Sequence, residues 1–269
     1  MSITVETAQL AASSDEDRLV VTDDAVIVLD GATAHDPDMP SAGAYVDHLS
    51  SELARSIDDP SPLTSILEQS IARTATALGI APGAAAPSST VVLVRIEPEA
   101  VDAIVLGDSS VIVGLSSGAV QVLTDDRLSK LRLPEADLYR RLLADGQGYG
   151  GRHRKVLQEL QVAERARRNQ QDGYWIAEAD PHAANHALHV RYPLREVAWV
   201  IAATDGAFDL IPTLGVTWHE VADMSTPQLD QLLRDVQTWE AETDPDGLAL
   251  PRAKRHDDKT VAVVRFGSS

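Results

Sequence analysis

The stretch 25–35, AVIVLDGATAH, decides how the rest of the chain is read. Val26, Ile27, Val28 and Leu29 form a short, mostly β-branched apolar run. A run this short and this branched reads as a buried strand rather than a helix. It ends in Asp30-Gly31, where a chain can turn and its backbone can approach another group closely. A polar loop then leads to His35. A carboxylate at the tip of a buried strand is costly unless something neutralises it.

The same pattern recurs at 197–206, where VAWVIAA runs through Thr204 into Asp205-Gly206. The chain holds five Asp-Gly dipeptides, at 30, 145, 172, 205 and 246, and only those at 30 and 205 close an apolar strand. The other three sit in polar or glycine-rich surroundings and read as ordinary turns. Two buried strand ends that carry carboxylates can face one cation.

With 269 residues and 44% hydrophobic content, the chain can bury a sizeable core. Aromatic residues make up only 4%, so that core must be built from Val, Leu, Ile and Ala. The absence of cysteine excludes disulfides, thiolate metal sites and a cysteine nucleophile. A formal charge of −18 argues against nucleic acid or an anionic membrane as partner. The N-terminal stretch lacks the basic and apolar regions of a signal peptide, and no apolar run approaches the roughly 18–20 residues of a membrane span. A soluble, cytoplasmic protein is expected.

Along the chain, 18–21 reads as a first strand, joined at Asp23-Asp24 to the 26–29 strand. Ala42, Tyr45, Val46, Leu49, Leu53 and Ile57 mark one apolar helix face. A second helix is expected to start at Ser61-Pro62 and stop near Gly79, with Leu63, Ile66, Leu67, Ile71 and Leu78 buried. Strands follow at 90–96, 101–106, 111–115 and 120–123. They read as one antiparallel meander, with Gly107-Asp108-Ser109 as a tight turn inside it. Between Arg127 and Arg168 lie eleven of the chain's 23 Lys and Arg against five acids, so this segment carries about +6 and the remainder about −24. The region 127–190 therefore reads as a basic helical insert or flap in a single domain spanning 1–269. Further on come the 197–203 strand, a short element at 208–211, a helix from Thr226-Pro227 to about Glu240, and a last strand at 260–266. Strands in two layers with helices in pairs suggest an α+β sandwich.

The strand-end carboxylates Asp17, Asp30, Asp205 and Asp257 come from four distant parts of the chain. Brought together, they could not all stay ionised without cations. All-oxygen ligation suits hard divalent ions, Mg²⁺ or Mn²⁺. Two such ions roughly 3.5–4 Å apart share a water and lower its pKa, giving a nucleophile for a phosphate ester.

Together these motifs resemble the metal-dependent protein phosphatases of type 2C, the PPM family, in its bacterial form. Asp15-Glu16-Asp17-Arg18 is similar to the first acidic motif. Val28-Leu29-Asp30-Gly31 is similar to the metal-bridging Asp-Gly, with His35 placed as in bacterial members. Ser88-Ser89-Thr90 resembles the segment before a central strand. Leu106-Gly107-Asp108-Ser109 resembles the Gly-Asp-Ser-Arg hairpin, with Ser110 in place of Arg. The stretch 203–209, ATDGAFD, resembles the Ser-Asp-Gly motif, and Asp257-Asp258-Lys259-Thr260 the closing Asp-Asn-x-Thr.

The resemblance implies a four-layer α-β-β-α sandwich of two antiparallel sheets flanked by helix pairs, with a metal cleft at one end. It implies Asp30 bridging two ions with help from the Gly31 carbonyl, and Asp205 and Asp257 holding one of them. Asp17 acts through water or from behind, and Asp108 holds a third, weaker ion. His35 is the implied general acid. The substrate implied is phosphoserine or phosphothreonine on proteins. Two alternatives are a small-molecule phosphatase using the same ions and a catalytically weak phosphoprotein-binding module. The sequence departs from the family pattern at 10–14, LAASS, which lacks the usual phosphate-gripping arginine. Thr33-Ala34 stands where the family has Gly-Gly. Arg18 or an arginine of the basic segment is the candidate replacement for the missing cation. His182, His186 and His189 are read as solvent-exposed rather than as a zinc site, since Ala183 stands where a metalloprotease needs Glu. No heptad pattern is present, and a monomer is expected.

Overall fold

The structure, a computed structural model, describes residues 2–13, 15–32, 40–81, 84 and 86–267. In chain order the elements are β1 (Ser2–Leu10), β2 (Asp17–Val21), β3 (Ala25–Ala32), α1 (Ala42–Ser56), α2 (Leu63–Ala77), β4 (Ser88–Ile96), β5 (Ala100–Leu106), β6 (Ser110–Leu115) and β7 (Val120–Thr124). They continue with α3 (Pro134–Ala144), α4 (Gly151–Arg165), β8 (Leu188–Pro193), β9 (Val197–Ala203), α5 (Asp205–Phe208), α6 (Trp218–Asp223), α7 (Thr226–Glu242) and β10 (Lys259–Gly267).

The strands form two five-stranded sheets, one ordered β1-β10-β9-β6-β7 and the other β2-β3-β4-β5-β8. All pairings are antiparallel. Side chains alternate across a strand, and the central strands are apolar on both faces. On β3 and β4, Val26, Val28, Val92 and Val94 face the opposite sheet and meet Val200, Ala202, Ala262 and Val264. Their neighbours Ile27, Leu29, Val91 and Leu93 face outward and pack on Tyr45, Leu49 and Leu53 of α1 and on Leu67 and Ile71 of α2. On the other sheet, Ile201, Val261 and Val263 pack on Leu229, Leu233 and Val236 of α7. These three apolar layers give the α-β-β-α sandwich that the sequence motifs imply. Each fully buried Val or Leu is worth about 1.5–3 kcal/mol, so the double-faced strands form the most stable part of the fold.

The four strands read as one meander are divided between the sheets. Leu106 of β5 pairs with Val91, whereas Ser110 of β6 pairs with Ala203 and Thr124. The segment 107–109 is therefore a crossover between layers, not a hairpin turn. Its apolar flanks look alike in sequence because both sheets bury both faces. Gly107 makes the crossing with φ +88°, and a Cβ there would stand 2.9 Å from a methyl of Thr90.

Two strands escape the sequence reading, β1 and β8. Both are sheet edges, and both mix polar and apolar residues because one face meets water. β8 begins at Leu188, at the end of the stretch read as the basic insert. Ser61 does not cap α2; Pro62 holds that position without a side-chain bond, while the Ser61 amide donates to Asp59 Oδ1 at 2.8 Å. α7 is capped by Ser225 and Gln228, and the Thr226 hydroxyl instead donates to Glu6 Oε2 at 2.7 Å. α6 was not expected from the sequence. Its Thr217–Glu220 capping box is a readable signal.

α3 and α4 form a helical hairpin with its own small core, built on Tyr139, Leu142, Leu143, Val156 and Leu160. Among the described residues, no helix is long and apolar enough to cross a membrane.

Candidate active site

Strand register brings the acidic positions together. Asp17 on β2 stands opposite Asp30 on β3, and Asp30 stands opposite Thr90 on β4. Thr204, at the end of β9, bonds the start of β10 through its backbone, Thr204 N to Thr260 O at 3.1 Å. The two sheets thus present their acidic ends on the same side of the sandwich. Asp30, Asp108, Asp205 and Asp257 line a single cavity of about 560 Å³. Gly31 also lines it, and the Gly31 amide donates to the Glu16 carbonyl at 3.2 Å. A Cβ on Gly31 would come within 2.9 Å of that carbonyl, so glycine is required for the approach.

Asp17 lies just behind the cavity. Its Oδ2 accepts from Thr204 Oγ1 at 3.0 Å and Thr260 Oγ1 at 2.7 Å, while Oδ1 is buried with no partner among the described residues. A buried carboxylate oxygen with no donor is a place for a water or a cation. Burial raises the Asp17 pKa to about 7 against the pull of the two hydroxyls. Burial and then the charges of Asp17, Asp205, Asp257 and Asp108 hold Asp30 well above the carboxylate range. Asp108 is raised to about 7 by burial and by Asp205. Asp205 is raised by burial and Asp257, and drawn back by a hydrogen bond from Asp30 and by the Gly206 amide. Crowded carboxylates of this kind favour whatever positive charge reaches them.

The donor set is all oxygen and fits a hard divalent ion. As placed, no three of the described His, Asp and Glu side chains form a metal-ligand group. Each is turned to a partner: Asp205 to Asp30 and Gly206, Asp17 to the threonines, and Asp257 to Lys254. The Lys254 ammonium stands 2.8 Å from Asp257 Oδ1.

Several site residues fall within the quoted motifs, but their sequence gives no sign of what they do. Thr204 and Thr260 clamp Asp17. Asp258 accepts from Ala12 N and Glu16 N, both at 2.6 Å, and so ties the first acidic motif to the last strand. Its acidic neighbour Asp257 hides this role in the sequence. Lys259 is fully buried, pairs with buried Glu240 at 2.8 Å and donates to the Asp257 carbonyl at 2.9 Å. Gly206 permits the crossing of the two Asp motifs: a Cβ there would run into the Asp258 carbonyl.

The cavity wall opposite the aspartates is one face of α4. Gln158, Gln161, Val162 and Arg165 recur at helical spacing and all line the cavity. Arg168 also lines it, but its guanidinium is held by Glu178 at 2.9 Å and the Tyr174 hydroxyl at 3.2 Å. Arg18 is not on this wall; it pairs with Asp47 at 2.6 Å. His35 lies outside the described residues. Of the histidines set aside as exposed, His182 and His189 are exposed. His186 is half-buried, stacked on Trp175 with ring centroids 3.4 Å apart. The flat indole face covers it, which its spacing in the sequence does not reveal.

No protein-family model matches the sequence, and no curated protein matches it. Solved structures do. The chain is similar to serine/threonine phosphatase Stp1 from Staphylococcus aureus, with 12% identity over 100% of this chain and 96% of that one and a TM-score of 0.60. It is similar to the catalytic domain of the serine/threonine protein phosphatase PstP in complex with two manganese ions, with 14% identity, 98% and 97% coverage and a TM-score of 0.54. It is also similar to PppA of Pseudomonas aeruginosa, a regulatory component of the type VI secretion system, with 14% identity, 98% of both chains and a TM-score of 0.56. At these identities the likeness establishes the fold, which is that of the bacterial serine/threonine phosphatases.

Proposed function

We propose that the protein hydrolyses phosphate monoesters, with phosphoserine or phosphothreonine on proteins as substrate and two divalent ions, Mg²⁺ or Mn²⁺, as cofactors. The observation that carries this reading is the meeting of Asp30, Asp108, Asp205 and Asp257 in one cavity, with Asp17 directly behind. Bound divalent ions supply a water of lowered pKa and neutralise phosphate oxygens. The chain's own residues do the rest. Asp30, between the two sheets' acidic ends, would be the shared ligand, assisted by the Gly31 carbonyl. Asp205 and Asp257 would hold one ion, and Asp108, at the crossover, a third and weaker one. Asp17, gripped by Thr204 and Thr260, would hold water from behind.

The leaving alkoxide needs a proton, and His35, five residues after Asp30, is the proposed donor. Arg165 faces the aspartates from α4 and has no ion-pair partner among the described residues. It is the proposed guide for the anionic substrate. A small molecule using the same ions is the competing substrate class. The solved structures of similar fold that are serine/threonine phosphatases favour a phosphoprotein.

Hydrolysis of p-nitrophenyl phosphate is the first test. Turnover that requires Mn²⁺ and stops in EDTA supports the reading. Turnover indifferent to metal, or none at any Mn²⁺ concentration, refutes it. Phosphopeptides set against phosphorylated metabolites then separate the two substrate classes.

A further inference from the structure

The aspartate cavity contains a cation of the chain's own. Lys254 lines it together with Asp30, Asp205 and Asp257, and its Nζ lies 2.8 Å from Asp257 Oδ1. The side chain is 43% exposed, so the pair is only partly screened by water. Its place is set by anchors on both sides. Arg252 is fixed to Asp244, with Nη1 2.7 Å from Oδ2 and Nη2 2.6 Å from the carbonyl. On the other side the buried Lys259 ammonium holds the Asp257 carbonyl at 2.9 Å. A loop anchored at both ends keeps the Lys254 head within reach of the cluster. Burial works against its charge, and Asp257 foremost, with Asp30 and Glu16, more than offsets that.

Resting on the metal-site reading above, we propose that Lys254 is a tethered cation that competes with a divalent ion for Asp257, so that the ion held by Asp205 and Asp257 binds weakly. An ammonium and a divalent ion cannot both touch one carboxylate oxygen without strong repulsion. For the ion to bind, Lys254 must give up its partner and turn to solvent. Its partial exposure makes this possible, and the lost pair sets the penalty, on the order of tenfold in ion affinity. The lysine thereby acts as a concentration threshold: it compensates part of the acidic cluster at low metal and yields at high metal.

Titration calorimetry of the whole, chelator-stripped chain with MnCl₂ tests this without any measurement of turnover. Lys254→Met and Lys254→Gln are each expected to tighten the ion held by Asp205 and Asp257 about tenfold, whereas Lys254→Arg keeps the charge and stays near the parent. Arg195→Met, a charge removed from an exposed pair elsewhere, is expected to change nothing. Structural damage would weaken binding, the opposite sign. Equal or weaker affinity in the two neutral variants overturns the inference alone. So does an equal gain in Arg195→Met, which would make the effect one of bulk charge. If neither the parent nor any variant binds Mn²⁺, the metal reading fails and takes this inference with it.

Discussion

Thr260 Oγ1 donates to Asp17 Oδ2 at 2.7 Å, across 243 positions of sequence. The donor lies on β10 of one sheet and the acceptor on β2 of the other. Thr204, at the end of β9, donates to the same oxygen at 3.0 Å. Two hydroxyls of one sheet thus clamp a carboxylate of the other at the site's floor. Removing a donor leaves a buried acceptor undersatisfied. Thr260→Val is therefore expected to cost about 1–3 kcal/mol of stability, read as a lower midpoint in urea.

The crowding of the aspartates gives the opposite sign for another substitution. Asp30→Ala or Asp205→Ala thins a buried cluster whose members raise one another's pKa. Each variant is expected to abolish Mn²⁺-dependent turnover and, in chelator, to melt at or above the parent's temperature. Differential scanning calorimetry with a turnover assay checks both halves. Full activity in either variant would remove that residue from the mechanism.

Stability without metal should depend on pH in a defined direction. Asp17 and Asp108 are each raised from 3.8 to about 7 in the fold, mainly by burial. The folded state therefore holds protons that the unfolded chain releases. The contribution of these groups is fully present below about pH 4 and is lost as pH rises through about 7. In chelator the melting temperature is expected to fall across that window, and saturating Mn²⁺ should offset the fall at the upper end. A melting temperature that rises steadily from pH 4 to 7 in chelator would contradict the crowded cluster.

Gly206 is expected to tolerate no side chain. A Cβ would collide with the Asp258 carbonyl, which is backbone and held within a motif anchored to Ala12 and Glu16. Gly206→Ala should displace Asp205 from Asp257 and reduce turnover by at least about tenfold, since small misplacements of reacting groups are costly. Steady-state kinetics with an aryl phosphate measures it.

Arg165 separates positioning from chemistry. On α4 it faces the aspartates but is not one of them. Arg165→Ala should raise KM for a phosphopeptide by about fivefold to tenfold, the worth of a partly exposed charge-assisted contact, and leave kcat nearly unchanged. A loss confined to kcat would place the arginine in the chemical step instead.

The sequence by itself determined the double-faced strands, because runs such as Val26 to Leu29 and Val91 to Val94 have no reading except burial on both sides. It also determined the ordered acidic motifs at 17, 30, 108, 205 and 257, and with them the fold family. It did not determine which sheet each strand joins. The strands β5 and β6 are equally apolar, and only packing across the sandwich turns 107–109 into a crossover. Nor did it find β1 and β8, whose one wet face blurs the pattern. The tertiary structure alone decided the partners of the carboxylates: Asp17 on two threonines, Asp258 on the backbone of 12–16, and Asp257 on Lys254. Hydrophobic pattern is local and repeats at short period, so a linear chain displays it. Which polar atoms meet is fixed by distances between segments that lie up to 259 residues apart, and the chain acquires those only when it folds.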